Sequence, residues 1–552
     1  MKIVYPVPKN KVIKKLTTQL LIFTLLSLIQ PLHAQIWPKG YFSNIGITCN
    51  SVIECYDKGY LIGGCYITND GNPINGSLIK TNRNGDLLWF KRLGNYNDGT
   101  RVRDVNQTND GGFIISGSTN ISDLTGDPFI MKLNSCGDTE WCRIYNIGQE
   151  RFDAALSIVQ IPSGYIALIF YGYSLWSTEK THLFQLDQNG DLVWQQLYGQ
   201  NDSLMIGAEG IDMKVTTDNH YLINGDCYYP DPESTELKYL RPLIIKVDST
   251  GKAEWELPWS RVNGASFHGE SYRSIIDNKN TIYSCGRHIE SSETPPGDRP
   301  SMMKTDGEGN EISYHDLVPD SWQAVFFNIN WFQDSTIALD GGWIMNYGGE
   351  GQNGVFKVDR NGNILDSINI KKTNYCFVDA IVDRDNKLFL IFTDHAGGYW
   401  HSYAWKLNSD LEYDTLYTQP ITYDSLCPHP IVSDTIPLDC VIVGINEPLK
   451  NPETGKLKVY PNPAVDRIHI VIPDQLKTQS QSPVFDLTTV YHKWHSVLVE
   501  IYDTFGRKMF SKEVKRAEKE IEVNLAGWPG GMYIVRLVYN NQAVGSAKVL
   551  VN

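Results

Sequence analysis

The sequence predicts an all-β protein: a seven-bladed β-propeller followed by a small Ig-like β-sandwich. Three observations point there. First, a short element returns along the chain: an apolar pair, a lysine, a turn glycine and a tryptophan. It stands at Lys80, Gly85 and Trp89, then at Lys132, Gly137 and Trp141, at Gln185, Gly190 and Trp194, and at Lys246, Gly251 and Trp255. Lys304 with Gly309 and Lys357 with Gly362 are weaker copies, and after Lys406 the glycine is replaced by Leu411. Neighbouring copies lie 49 to 61 residues apart. Self-similarity at such a period marks an array of like units. Second, Asn-Gly turns such as Asn84-Gly85, Asn189-Gly190 and Asn361-Gly362 sit between apolar runs. They are strong hairpin signals, because the central residues must accept positive φ. Third, 14 Trp, 30 Tyr and 46 Gly favour strands over helices.

In chain order, residues 1–34 have the layout of a secretory signal peptide. Lysines 9, 11, 14 and 15 precede an apolar core from Leu20 to Ile29, and Ala34 ends a small-residue cleavage site. Ten apolar residues are too few to cross a bilayer about 30 Å thick. No other run is long enough either, so no transmembrane span is expected after cleavage. A lead-in from Ile36 to Asn44 follows. Each unit then reads as four short strands, in the first Ser51–Cys55, Tyr60–Tyr66, Ser77–Lys80 and Leu87–Leu93. The turn between the first two is Asp57-Lys58-Gly59, with counterparts at Asp110, Ser163, Asp218, Asp277, Asp334 and Asp385. The second strands, such as Phe113–Gly117 and Tyr165–Phe170, are apolar throughout, so neighbouring units must cover both faces. The recurring tryptophans are expected to pack between blades. Seven units closed into a ring, over residues 35–417, leave only short protected edges. Insertions at Pro230–Tyr239, Ser291–Pro300 and Ala396–Tyr399 are expected to gather on one ligand-facing side.

Ten cysteines suit an exported protein. Cys136 and Cys142 flank the turn at Gly137, and Cys427 and Cys440 enclose a short Pro-rich loop, so each pair is expected to close a local disulfide. No C-x-x-C pair is present to suggest zinc. Residues 1–34 carry five lysines and no acid, and 456–552 hold 13 basic against 9 acidic residues; of the formal −14, the middle therefore holds −23. That argues against a nucleic-acid partner, which requires a basic footprint.

Residues 418–456 change character, with clustered prolines and no period, and read as a linker. From 457 a new strand pattern begins. Its markers are Tyr460, Pro461, Asn462 and Pro463, then Ile501 to Arg507 with Asp503, Gly506 and Arg507, then Leu525 to Tyr533 with Gly531 and Tyr533, and last Lys548 before a short apolar strand. These ordered motifs resemble the type A sorting domain of the type IX secretion system of Bacteroidetes. The chain departs from that pattern by an insertion at Asp474–Trp494 and by Trp528-Pro529-Gly530. The resemblance implies Sec export to the periplasm, then passage across the outer membrane to the surface or medium, with the secretion machinery as partner. The repeats also resemble secreted bacterial propeller-like repeats, as in DGGFIISG from Asp110 and DPFIMKLNSCGDTEW from Asp127.

No catalytic constellation stands out: there is no H-E-x-x-H, G-x-S-x-G or P-loop. No catalytic residue, metal site or cofactor is therefore expected. His268-Gly269-Glu270 is a bare neighbour pair, and Tyr491 to His495 reads as an exposed loop. The loops from Asp187 to Asp191 and from Asp359 to Asn363 resemble the start of a calcium loop, but lack the downstream glutamate and read as hairpin turns. Three classes remain: a binding module for an unidentified protein or glycan, a glycan-active or other hydrolytic enzyme with its site in the channel, and a structural envelope protein.

Overall fold

The computed structural model describes residues 37–41 and 46–444, apart from 69–71, 95–97, 121–125, 147–151, 173–179, 200–206, 231–237, 259–268, 291–296, 319–320, 334, 346–350, 373–377 and 397–398. In the tail it describes 457–472, 497–503, 507–514, 519–539 and 542–551. The signal segment and the cores of the three insertions lie outside the described residues.

Seven four-stranded antiparallel sheets follow one another. The first comprises Gly46–Glu54, Tyr60–Ile67, Pro73–Thr81 and Leu87–Leu93. Five more span 101–146, 152–198, 207–258, 269–316 and 323–372. The seventh blade takes three strands, Val378–Val382, Leu388–Ala396 and Tyr399–Leu407, from the end of the repeats. Its outer strand is Lys39–Tyr41, paired antiparallel to Ser402–Ala404. The lead-in is thus the missing quarter of the last blade, which explains why the seventh copy has no tryptophan of its own. Blades seven and one then meet directly. Asp379 accepts from the Val52 amide at 2.7 Å, Asp383 from the Tyr60 hydroxyl at 2.8 Å, and Ser402 donates to the Ile47 carbonyl at 3.0 Å.

The repeated residues do repeated jobs. The third-strand lysine pairs with the turn aspartate of its own blade, at 2.8 Å for Lys80–Asp57, Lys132–Asp110 and Lys406–Asp383. Trp141, Trp194 and Trp255 lie on the turn glycine of the next blade, whereas Trp89 turns to the strap and Lys91 takes its place on Gly137. A Cβ at Gly190 would stand 2.6 Å from the ring of Trp141, and one at Gly251 2.8 Å from that of Trp194. Four residues on, Tyr145 and Tyr198 donate to the carbonyls of the same two glycines, each at 2.7 Å. Trp37 and Tyr41 repeat this arrangement on Gly85 across the closing seam.

The stretch read as a linker is, from 418 to 444, a strap bound to the first two blades. Asp424 accepts from the Trp89 indole at 3.0 Å, and its amide donates to Asp57 at 3.0 Å. Asp434–Ile436 extends the first blade and Val441–Gly444 the second, both in parallel. Both expected disulfides are corrected: the bonds are Cys136–Cys427 and Cys142–Cys440. Cys136 sits in the turn, whereas Cys142 lies farther along the strand opposite Met131, so the two do not face each other across the hairpin. On the strap, Cys427 and Cys440 are held apart by the intervening strand Asp434–Ile436. Each meets the second blade instead.

The chain divides into two units at Ile445/Asn446. The second unit has a three-stranded sheet of Val459–Tyr460, Arg467–Val471 and Glu520–Asn524. Its other sheet has four strands, Lys508–Glu513, Val497–Asp503, Gly531–Tyr539 and Gln542–Val551. Alternating Ile468, Ile470, Ile521, Val523, Val499, Ile501 and Val535 form one shared core, as a sandwich requires.

The two disulfides span 291 and 298 residues, yet once either is closed the other shuts only a short remaining loop. Replacing Cys136 by Ser is expected to lower stability by about 2–3 kcal/mol, and replacing Cys136 and Cys142 together by about 5 kcal/mol or more. Urea unfolding of the three proteins measures this; an equal loss in the single and double variants would contradict it.

Candidate functional site

The first strand of each blade lines the axis of the ring, and a local irregularity decides what it presents there. In the first six blades the pairing register skips one residue, leaving Asn50, Arg103, Leu156, Ile211, Tyr272 and Phe327 as bulges. In five of the six the second strand has glycine at the same level; in the third blade Ile169 stands there. A Cβ at Gly64, Gly117, Gly225, Gly286 or Gly341 would fall within about 2 Å of a first-strand carbonyl. Bulges re-aim side chains, and they recur beside functional sites.

The residue after each bulge, with Asp379 of the seventh blade, forms a polar belt: Ser51, Asp104, Ser157, Asp212, Arg273, Asn328 and Asp379. Asp104 accepts from the Ser51 hydroxyl at 2.9 Å and the Ile158 amide at 3.0 Å. Arg273 donates to Asn328 and Asp379 and lies 3.8 Å from Asp212, so one guanidinium joins blades four, six and seven. Burial raises the Asp104 carboxyl, against the hydrogen bonds that hold it down. Behind the belt, Asp340 accepts from the Asn328 amide at 2.8 Å, and burial pushes it up to about 7.

Where the first strands begin, the channel mouth is asymmetric. Glu270 takes Arg287 in a fork, at 2.6 and 2.7 Å, and accepts from the Tyr272 hydroxyl. Arg287 also reaches Asp298 at 2.7 Å. Asp226 accepts from the Ser271 amide at 3.0 Å. Burial, then the charges of Glu270 and Glu209, holds Asp226 well above the usual carboxylate range. The rings of Tyr272 and Phe327 meet edge to face at 5.2 Å. Arg101 and Arg103 stand on the second blade; burial, then repulsion from Arg101, lowers Arg103 to about 10.

Of the residues singled out in the sequence, Glu270 is part of this mouth, while His268 lies outside the described residues. Asp187 accepts from the amides of Asn189 and Asp191 at 2.8 and 2.9 Å, and Asp359 does the same for Asn361 and Asn363, so both calcium-like loops are hairpin turns. Sequence reasoning missed the belt and Arg103. The signal available was the glycine inside five of the second strands, each with a bulge opposite.

In the tail, Asn462 clamps the last strand. Its amide donates to the Lys548 carbonyl at 2.8 Å, and its oxygen accepts from the Leu550 amide at 2.9 Å. Asp503 closes its turn by accepting from the Arg507 amide and Nε at 2.9 and 2.6 Å. Tyr533 donates to the Pro529 carbonyl at 2.8 Å, and Lys548 is exposed. Gly506 lies outside the described residues. Residues 458–552 match the family model described as "Secretion system C-terminal sorting domain". The tail is a type IX sorting domain. Its presence makes the chain a type IX secretion substrate, bound for the outer membrane or beyond.

No curated protein matches the chain. Among solved structures, a PL25 ulvan lyase is 9% identical with a TM-score of 0.46, over 68% of this chain and 96% of that one. The β-propeller domain of the trilobed protease from Pyrococcus furiosus is 9% identical with a TM-score of 0.37, over 68% and 100%. An α-L-arabinofuranosidase from Fusarium graminearum is 9% identical with a TM-score of 0.36, over 67% and 96%. At these TM-scores the likenesses carry no chemistry across, and the propeller stands on its own strand register.

The folded pKa of Asp340 lies above that of an unfolded aspartate, about 3.9. Its contribution therefore favours the fold at low pH and is lost as pH rises from about 4 through 7. Asp340→Asn is expected to gain stability relative to wild type by up to a few kcal/mol as pH goes from 4 to 8. Denaturation midpoints across that range test it; a difference independent of pH would contradict it.

Proposed function

We propose that the exported chain is an extracellular binding module whose ligand face is the mouth of the propeller channel. The observation that carries this reading is the belt. Arg273 ties three blades together near the axis and Asp104 is held by Ser51 and the Ile158 amide, which favours reading the mouth above as a cup on a rigid ring. Its walls differ: cations on the second blade, carboxylates and aromatic rings on the fourth to sixth. A concave site with a few convergent polar groups is the usual form of a ligand pocket.

A second reading, cleavage of a glycan in the same cup, is favoured by one feature. Burial raises Asp226 well above the usual carboxylate range beside Glu270, and two carboxyls in unlike surroundings can divide acid and base roles. A glycan array together with reducing-end and unsaturated-product assays on the chain 35–552 separates the two. Retention of a ligand without product is expected; turnover would overturn the binding reading in favour of the enzyme.

The route proposed is Sec export, removal of residues 1–34, then passage across the outer membrane directed by 457–552. A chain ending at Glu447 should accumulate folded in the periplasm of a type IX-competent host. Asn462→Ala should loosen the last strand by about 1–2 kcal/mol and lower the amount of full-length chain reaching the medium. Immunoblots of cell and medium fractions decide; a truncated chain exported as well as the full one would refute the sorting role.

A further inference from the structure

Most cations lining the inside of the propeller have a carboxylate. Lys80 and Lys132 hold theirs at 2.8 Å, Lys246 has Glu254 at 3.1 Å, and Arg273 and Arg287 are engaged as described. Lys304 and Lys357 have backbone carbonyls instead, of Arg360 and Ser409; Arg101 and Arg103 have neither. Among the described residues neither makes an ion pair or hydrogen bond, and the Nε of each is shut off from solvent without an acceptor. Two guanidiniums two residues apart on one strand repel each other, and burial adds to the penalty. Glu209, across the channel on the fourth blade, attracts Arg103 without closing to a salt bridge. Arg103 is the bulged residue of its strand, two positions from the strand's first residue, Arg101. An arrangement that costs stability and is not relieved inside the fold is the mark of a site completed by a ligand.

We propose that Arg101 and Arg103 form an oxyanion site at the channel mouth that takes the carboxylate or sulfate of an acidic saccharide. This rests on the binding-module reading above and names its ligand class. Paired guanidiniums match planar or tetrahedral oxyanions through forked hydrogen bonds. The facing wall supplies what the rest of a sugar uses: Glu270 and Asp226 as partners for hydroxyls, and the Tyr272–Phe327 pair as an apolar edge. An acidic peptide would set further carboxylates against that wall. The formal charge of −14 also repels polyanions in general, so recognition rests on one local contact.

The test uses the chain 35–552 as wild type and as Arg101→Gln, Arg103→Met and Lys214→Gln. Lys214 lies past the belt residue Asp212 on the same strand, away from the mouth. Thermal melting without ligand comes first. Arg103→Met should melt at or above the wild-type temperature; a drop of several degrees would make Arg103 a structural residue and overturn the site. Calorimetric titrations follow, with an oligouronate, a sulfated oligosaccharide, a neutral oligosaccharide of equal length and polyglutamate. One acidic saccharide should bind, about tenfold or more weaker in either arginine variant and unchanged in Lys214→Gln. The uronate and sulfate arms distinguish the two oxyanions. Equal binding of the neutral sugar, preference for polyglutamate, arginine variants that bind like wild type, or no binding at all would each overturn the site. A ligand held independently of the arginines would leave the binding module standing without this site. A saccharide held by them and then cut would leave the site standing and replace the module by an enzyme.

Discussion

At four of the seven blade junctions the contact of one blade's tryptophan with the turn glycine of the next sets the geometry of the ring. A sheet whose second strand is buried along its whole length, as Tyr60–Ile67 and Phe113–Thr119 are, has to be covered on both faces. The tryptophan fixes how closely and at what level the cover sits. At Gly190 the ring of Trp141 occupies the space any side chain would need, and the positive φ of 79° serves the turn at the same time. The same contact must exist at the seam or one blade edge would lie open. That requirement falls on Trp37 and Tyr41, which is why the chain's first strand belongs to its last blade.

Ring closure has a consequence at the axis. Seven inner strands converge, and buried polar side chains meeting there draw on one another for partners, though among the described residues Asp212 and Asp340 each keep one oxygen without a hydrogen bond. The belt achieves this with one cation: Arg273 reaches Asn328 and Asp379 and approaches Asp212, while Asp104 turns to Ser51 and the Ile158 amide. Asp340, packed behind it with the Asn328 amide as its one donor among the described residues, keeps its proton more readily. The strap makes a comparable join outside, where Asp424 meets both Asp57 and the Trp89 indole, and two disulfides bind it to the second blade.

How much of this was legible follows from how local each feature is. The repeat, its turns and the inter-blade tryptophans were readable because period and turn chemistry lie within a few residues. The tail was readable from ordered motifs. The closing strand was missed although Trp37 and Tyr41 have the same spacing as Trp141 and Tyr145 or Trp194 and Tyr198; separated from the other copies, the pair looked like a lead-in. The disulfides were mispaired because proximity in sequence stood in for proximity in space, and the partners lie 291 and 298 residues apart. The strap's prolines suggested a linker, but two short parallel strands and side-chain anchors bind it down regardless. The bulges were indicated by the second-strand glycines, read only as small residues following an apolar run.

A ring of equivalent blades presents a nearly symmetric mouth, and a symmetric mouth cannot orient an asymmetric ligand. Whatever recognition it performs must come from positions that the repeat leaves free. Packing fixes the apolar second-strand residues, the turn glycine and the lysine–aspartate pair. It does not fix the identity of the bulged residue, which the ladder leaves unpaired. Those positions hold Asn50, Arg103, Leu156, Ile211, Tyr272 and Phe327, six different residues in six blades. The belt one residue later is also mixed, but Ser51, Asp104, Ser157, Arg273, Asn328 and Asp379 answer to each other's hydrogen bonds. Arg103 answers to none among the described residues. The departure from repetition and the departure from electrostatic satisfaction coincide at one residue, and that coincidence, more than the acidity of the ring as a whole, locates the ligand face.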